Sequence, residues 1–195
     1  MPNYCYNKIT IYGNKETIKE IANKLKSIKN TDEGIFKTLI GEPTNITDNN
    51  EEDEYVKHYG CKWDVKFDNY VNFEIYEYLI QIDFSTAWGP CIPFCSTLSR
   101  LYSVDVKCLY FEPSNDFAGC YSKDRKGQEF ELTYGYYEGL YKFDSQEFYE
   151  DIDFHIENEI ESYPDKTLND ILQDLKFVDE KDIKRITETF NFFKK

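Results

Sequence analysis

Three carboxylates stand nearest the most distinctive stretches of this chain: Asp64, Asp83 and Glu112. Asp64 closes the run Gly60-Cys61-Lys62-Trp63-Asp64, and Glu112 precedes Pro113 at the end of an alternating segment. Brought to one edge, Asp64 and Glu112 would hold a metal ion or share acid–base work, since both tasks need oxygens converging at short range. No third and fourth ligands are placed by the sequence. In the plainer reading, Asp64 caps a backbone amide or pairs with Lys62 or Arg100, and Glu112 simply ends a strand. Trp63 and Trp88 lie close to Gly or Pro. They offer a stacking platform for a base or sugar, or else close the core beneath a loop. With Thr86, these residues define a candidate ligand pocket: Trp63, Asp64, Thr86, Trp88 and Glu112.

Other chemistries lack their parts. The two histidines, His58 and His155, have no nucleophile or carboxylate at a diagnostic spacing. Ser85-Thr86 is not a nucleophile elbow, and Gly13-Asn14-Lys15 is not a phosphate-binding loop. Cys91 and Cys95 are spaced for one helix face, but no Cys-x-x-Cys pair or histidine accompanies them. No catalytic residue, metal or cofactor is therefore assigned.

Composition narrows the partners. The chain has 195 residues, 41% hydrophobic and 17% aromatic, with 17 Tyr and 15 Phe. That suffices for a packed core and argues against global disorder. The formal net charge of −14 disfavours direct nucleic-acid binding, because phosphates repel such a chain. An RNA-reading sheet face would need exposed aromatics ringed by lysine. An acidic chain instead suits a basic groove on another protein. Neither a signal peptide nor an apolar run of membrane-spanning length is evident. The expectation is a cytoplasmic protein without membrane contact, its six cysteines reduced.

These residues must be positioned by regular elements. Cys5–Tyr12 alternates, with Cys5, Ile9 and Ile11 on one face and Tyr6, Thr10 and Tyr12 on the other. Asn14 caps a helix over Lys15–Lys29, whose stripe is Ile18, Ile21, Ala22, Leu25 and Ile28. Thr31–Tyr59 reads as a long exposed loop, acidic over 41–59 and ending in Glu51-Glu52-Asp53-Glu54. Cys61–Phe67 reads as a strand, Asp68-Asn69 as a turn, and Val71–Tyr78 as an extension of that hairpin. Leu79–Phe84 alternates and hands over to a helix across Pro90–Tyr102, with proline in the first turn. Val104–Glu112 alternates again. Phe117–Ser122 and Gln128–Tyr137 read as a hairpin across Lys123–Gly127. From Ser145 the chain is acidic and helical, in three segments ending at Tyr163-Pro164, near Leu175 and at Phe193. The order predicts an α+β, ferredoxin-like fold: an antiparallel sheet with helices on one face over 1–144, and an acidic helical extension, 145–195, docked upon it.

The blocks also resemble a known family. The opening Met-Pro-Asn-Tyr-Cys-Tyr-Asn-Lys-Ile-Thr-Ile-Tyr-Gly is similar to the start of the YubB/Api92-like (DUF1281-type) ferredoxin-like domains. Gly60–Asp64, Phe84-Ser85-Thr86-Ala87-Trp88-Gly89-Pro90, Tyr110-Phe111-Glu112-Pro113 and Phe117-Ala118-Gly119 continue the resemblance in order, over about residues 1–137. Tyr4 departs from the tryptophan usual there, and the acidic tail has no counterpart. The resemblance implies a phage or plasmid setting and no established enzymatic activity. Charge and setting together lead to an expected function: a non-enzymatic protein that binds and inhibits a host nucleic-acid-acting defence effector, in the manner of anti-CRISPR proteins. The partner would be a CRISPR effector or another nuclease. Its expected contact residues are Glu51, Glu52, Asp53 and Glu54, with Asp151, Asp153 and Glu157 of the tail. The alternative is a small enzyme or ligand-binding domain at the pocket above.

Overall fold

The structure is a computed structural model that describes residues 3–47, 49–67, 71–123, 127–173 and 175–194. The expected turn at Asp68-Asn69 and the middle of the Lys123–Gly127 turn lie outside these residues.

Period-2 alternation becomes strands as expected. Strands β1 (Tyr4–Tyr12), β2 (Asn72–Ile75), β3 (Leu79–Ala87), β4 (Asp105–Glu112), β5 (Phe117–Lys123) and β6 (Glu129–Tyr134) form one antiparallel sheet in the order β2-β3-β1-β4-β5-β6. Ile9 faces Ile82 on one side and Cys108 on the other, so the apolar parity of three strands falls on one face. Helix α1 (Lys15–Ile28) begins at Asn14, whose side chain accepts the Thr17 amide, and buries all five stripe residues. Each such aliphatic side chain contributes about 1.5–3 kcal/mol when fully buried.

Two short helices stand where a loop was expected. Helix α2 (Ile35–Ile40) is the one apolar run of that stretch, too short to establish a helical period by itself; it buries Ile35, Phe36 and Leu39 and exposes Lys37. Its Phe36 packs on Tyr59, Phe84 and Phe94, the last at a centroid distance of 4.3 Å. Helix α3 (Glu51–Tyr59) carries four acids in its first turn, Lys57 and His58 in its last, and Gly60 in the left-handed conformation after it. This charge order suits the helix dipole, and the glycine ends the helix without strain. Residues 41–59 are therefore partly helical rather than a continuous loop. Cys61–Phe67 is likewise not a strand; among the described residues it makes an isolated bridge between Gly34 and Lys66, and the Lys62 amide donates to Ala87 O at 3.2 Å. One of its carbonyls serves α2, Val65 O accepting the Ile35 amide at 2.7 Å.

Helix α4 (Ile92–Tyr102) completes the first layer, with Pro93 in its first turn. A core of Ile9, Ile11, Ile80, Ile82, Phe84 and Val106 lies between the sheet and this helical layer. The tail contributes α5 (Tyr136–Phe143), α6 (Ser145–Ser162), α7 (Leu168–Leu172) and α8 (Glu180–Phe193). Its helical character thus starts at Tyr136, inside the expected last strand. These helices cover the opposite face. Leu109, Phe111 and Ala118 of the sheet join Leu140, Phe148, Ile152, Ile156, Ile186 and Phe190 in a second core. The expected α+β sheet with a docked helical extension is what forms, and the docking puts helices on both faces. Gly139 permits a close approach here, since a Cβ on it would sit 2.4 Å from the Ala118 methyl. Lys8 fastens the tail, donating to Asp144 at 2.6 Å, while Asp144 caps α6 through the Glu147 amide. Burial alone would raise the Asp144 carboxyl; the Lys8 hydrogen bond and backbone amides outweigh it and hold the group below its ordinary value.

Candidate functional site

The tail does not cover the whole second face. On β1 the outward-facing Tyr4, Tyr6 and Tyr12 remain exposed. Tyr4 and Tyr6 form one wall of a cleft of about 1080 Å³, together with Ser85 of β3, the segment Trp63–Lys66, Val71, and Glu51 and Tyr55 of α3.

The Trp63–Lys66 wall is built by Asp64. Its Oδ1 accepts the Phe36 amide at 2.8 Å and the Val65 amide at 2.6 Å, and its Oδ2 accepts the Lys37 amide at 2.8 Å. Gly34, the residue preceding α2, supplies no side-chain cap. Asp64 therefore caps α2 from another part of the chain. Burial pushes its carboxyl up, and the three backbone hydrogen bonds pull against that. Both oxygens are committed to structure, as in the plainer reading of this residue.

Trp63 and Trp88 come together around a cation. Lys62 Nζ lies 4.5 Å from the centroid of Trp88 and 5.6 Å from that of Trp63, and it pairs with Glu52 at 2.7 Å. The two indoles are 40% and 46% exposed, so neither closes a core. Trp88 has φ of +79°, a conformation that bulky residues seldom adopt. It is held there by its amide, which donates to Asn3 O at 2.9 Å.

The remaining pocket residues go elsewhere. Thr86 is buried, its hydroxyl accepting from Asn7 Nδ2 at 2.7 Å and donating to Gly89 O at 2.6 Å. Glu112 is buried at the end of β4 and accepts the Ser114 amide at 2.9 Å. Trp63 and Asp64 line the cleft; Thr86, Trp88 and Glu112 do not. Asp83 lines a smaller hollow of about 280 Å³ with Lys8, Glu74 and Gln81. His58 lies 3.1 Å from Gly41 O, and His155 packs on Tyr137.

The acidic residues fall into two separate groups, since α3 belongs to the first layer and α6 to the second. On α3, Glu51 lines the cleft, Glu52 holds Lys62, Asp53 is exposed, and Glu54 pairs with Lys57 at 2.7 Å. On α6, Asp151 accepts from the Tyr136 hydroxyl, Asp153 binds Arg185 and Thr189 at 3.1 Å, and Glu157 is half-buried. Tyr4, Tyr6, Tyr55, Val65, Lys66, Val71 and Ser85 complete the cleft without being candidate site residues in the sequence. The outward parity of Tyr6 and Tyr12 was the available signal.

The fold defines an α+β protein of the ferredoxin-like type. Among solved structures the chain is similar to the protein Api92 from Yersinia pseudotuberculosis, of DUF1281, with a TM-score of 0.50 and 10% identity. The match covers 69% of this chain and 99% of that one. At this identity the likeness is one of fold, and it agrees with the family resemblance of the sequence blocks. No family model matches the chain, and no curated protein matches it. Among the described residues, no helix is long and apolar enough to cross a membrane.

Proposed function

We propose that this chain is a non-enzymatic interaction protein that seats a basic segment of another protein in the aromatic cleft beside α3. The observation that carries this reading is the cleft itself: Tyr4, Tyr6 and Trp63 are exposed, Glu51 and half-buried Tyr55 line it with them, and the chain has a net charge of −14. Exposed tyrosine and tryptophan in a concave site anchor interfaces, and their rings attract guanidinium and ammonium groups. Lys62 already occupies such a position between Trp63 and Trp88. The net charge steers a basic partner and repels nucleic acid. A protein surface that normally binds nucleic acid has the matching charge. In the mobile-element setting implied by the sequence resemblance, that partner is a host defence effector such as a CRISPR nuclease, inhibited by occupation of its groove.

An enzyme reading finds less support. Asp64 is consumed as a helix cap, and Glu112 does not reach the cleft.

A photo-crosslinking residue in place of Tyr6 tests the proposal in host lysate. The expected adduct is a nucleic-acid-handling protein, released by competing DNA or RNA. Its capture should weaken with added salt, with Trp63→Ala and with Glu51→Lys. Capture indifferent to salt and to both substitutions overturns the reading, as does an absence of any specific adduct.

A further inference from the structure

We propose that Cys91, Cys95 and Cys108, with the side-chain oxygen of Asn7, form a buried binding site for one thiophilic cation of the zinc class. Cys91 immediately precedes α4, Cys95 lies a turn further on, and Cys108 rises from β4 beneath the helix. Their sulfur atoms all lie within 4.8 Å of one another. All three residues are completely buried. Tetrahedral zinc–thiolate bonds of about 2.3 Å place sulfurs about 3.8 Å apart. Drawing the three together therefore needs shifts of about 1 Å or less at the sulfur atoms.

Asn7 supplies an independent observation. It is also completely buried. Its Nδ2 donates to Cys5 O at 2.8 Å and to Thr86 Oγ1 at 2.7 Å. These bonds settle which way the amide points, and they aim Oδ1 at the sulfurs. That oxygen lies 3.6 Å from Cys91 Sγ and 3.8 Å from Cys108 Sγ. It also accepts the Cys91 N–H, at 3.3 Å, alongside the Cys91 and Cys108 S–H groups. A fourth ligand locked by outer hydrogen bonds is how metal sites orient their donors. Three core thiols packed as small hydrophobes need no carboxamide among them; Asn7 adds a hard oxygen donor that the two S–H groups reach before any metal displaces their protons.

The donor set favours a soft or borderline cation over magnesium or calcium. Binding releases the thiol protons to solvent and exchanges three S–H bonds for metal–sulfur bonds. Because no donor reaches the surface, loading accompanies folding. The three remaining cysteines, Cys5, Cys61 and Cys120, lie outside the cluster.

Cobalt(II), which reports thiolate ligation by its charge-transfer absorption, provides the test. The full chain is unfolded with chelator and reductant, refolded with cobalt or without metal, and passed through a desalting column. The expected result is about one cobalt per chain, a sulfur-to-cobalt band, and displacement of that band by zinc. Cys120→Ser should retain the band and Cys95→Ala should lose it, with far-ultraviolet circular dichroism confirming the fold of each. Should Cys95→Ala fail to fold, the wild-type measurements decide. A correctly refolded wild-type chain that retains no cobalt, and whose melting temperature zinc leaves unchanged, overturns the proposal. Equal cobalt uptake by a folded Cys95→Ala variant overturns it as well.

Discussion

Replacing Gly34 by alanine tests whether Asp64 holds α2 in place. The backbone at Gly34, φ −82° and ψ 150°, suits any residue, so conformational strain plays no part. What forbids the methyl is the carboxylate: a Cβ at Gly34 would lie 1.9 Å from Asp64 Oδ2 and 2.2 Å from Asp64 Cγ. An unconstrained carboxylate would rotate away cheaply. This one is pinned by three amides, and turning it breaks the bond from Lys37 first. The cost of Gly34→Ala should be that of overpacking, about 1–3 kcal/mol. Asp64→Ala removes the cap, worth about 1 kcal/mol, and leaves further amides unpaired at about 1 kcal/mol each. A total near 2–3 kcal/mol follows, reduced by the burial that already opposes its ionised form. In the double variant the methyl meets no carboxylate. Adding Gly34→Ala to Asp64→Ala should then be neutral, or stabilising by about 0.5 kcal/mol through the stiffer unfolded chain. Urea-denaturation midpoints of the four proteins give the coupling, expected at about 1–3 kcal/mol, the cost that Gly34→Ala loses when the carboxylate is gone. Additive losses would show that Asp64 does not pin this corner.

Three further outcomes are expected. Lys8→Met should lower stability by about 1 kcal/mol, since the pair with Asp144 is partly exposed. Asp144 is held below its ordinary 3.8, so this contribution is present above pH 3.8 and disappears as pH falls through the lowered folded value; denaturation at pH 7 and pH 2.5 should show the wild-type advantage shrinking. Five of the six cysteines are buried and Cys120 is partly exposed, so iodoacetamide at neutral pH should label the native chain at Cys120 alone, and all six in chelator-containing denaturant, read by peptide mass spectrometry; burial also pushes Cys61 up to about 12. Gly139→Ala drives a methyl into Ala118 and should cost about 1–3 kcal/mol in thermal or urea melts while leaving the first core intact.

Where the sequence spoke clearly, a single periodicity was enough. Strands β1, β3 and β4 follow from alternation, and α1 follows from five apolar residues on one stripe. Helix α2 escaped because Phe36 gains its role from Tyr59, Phe84 and Phe94, which are distant in sequence. Helix α3 was legible in principle, through acids first, bases last and glycine after, but it buries little beyond Tyr59. The strand reading of Cys61–Phe67 misled, because its backbone bonds scatter: the Lys62 amide goes to Ala87 O, the Val65 amide to Asp64, and Val65 O takes the Ile35 amide of α2. At the candidate site, Trp63 and Asp64 were readable from composition. The convergence of β1 tyrosines with Tyr55 was not, since it depends on how a loop crosses the end of the sheet. Likewise, the spacing of Cys91 and Cys95 was visible, whereas Cys108 joins them only through the packing of α4 on β4.

Strand β4 belongs to both interiors. Its Val106, Cys108 and Tyr110 sit in the first core, and Leu109 and Phe111 in the second. Each layer therefore shares a structural member that cannot be withdrawn from one without stripping the other. A chain with two oily compartments would ordinarily be free to melt in two stages. Here the shared strand couples them, so opening on either side is felt across the wall, and the β4 amides should be among the last to exchange with solvent. An event at the tail, such as loss of its docking contacts, would thereby reach the opposite layer through packing alone, with no moving part required.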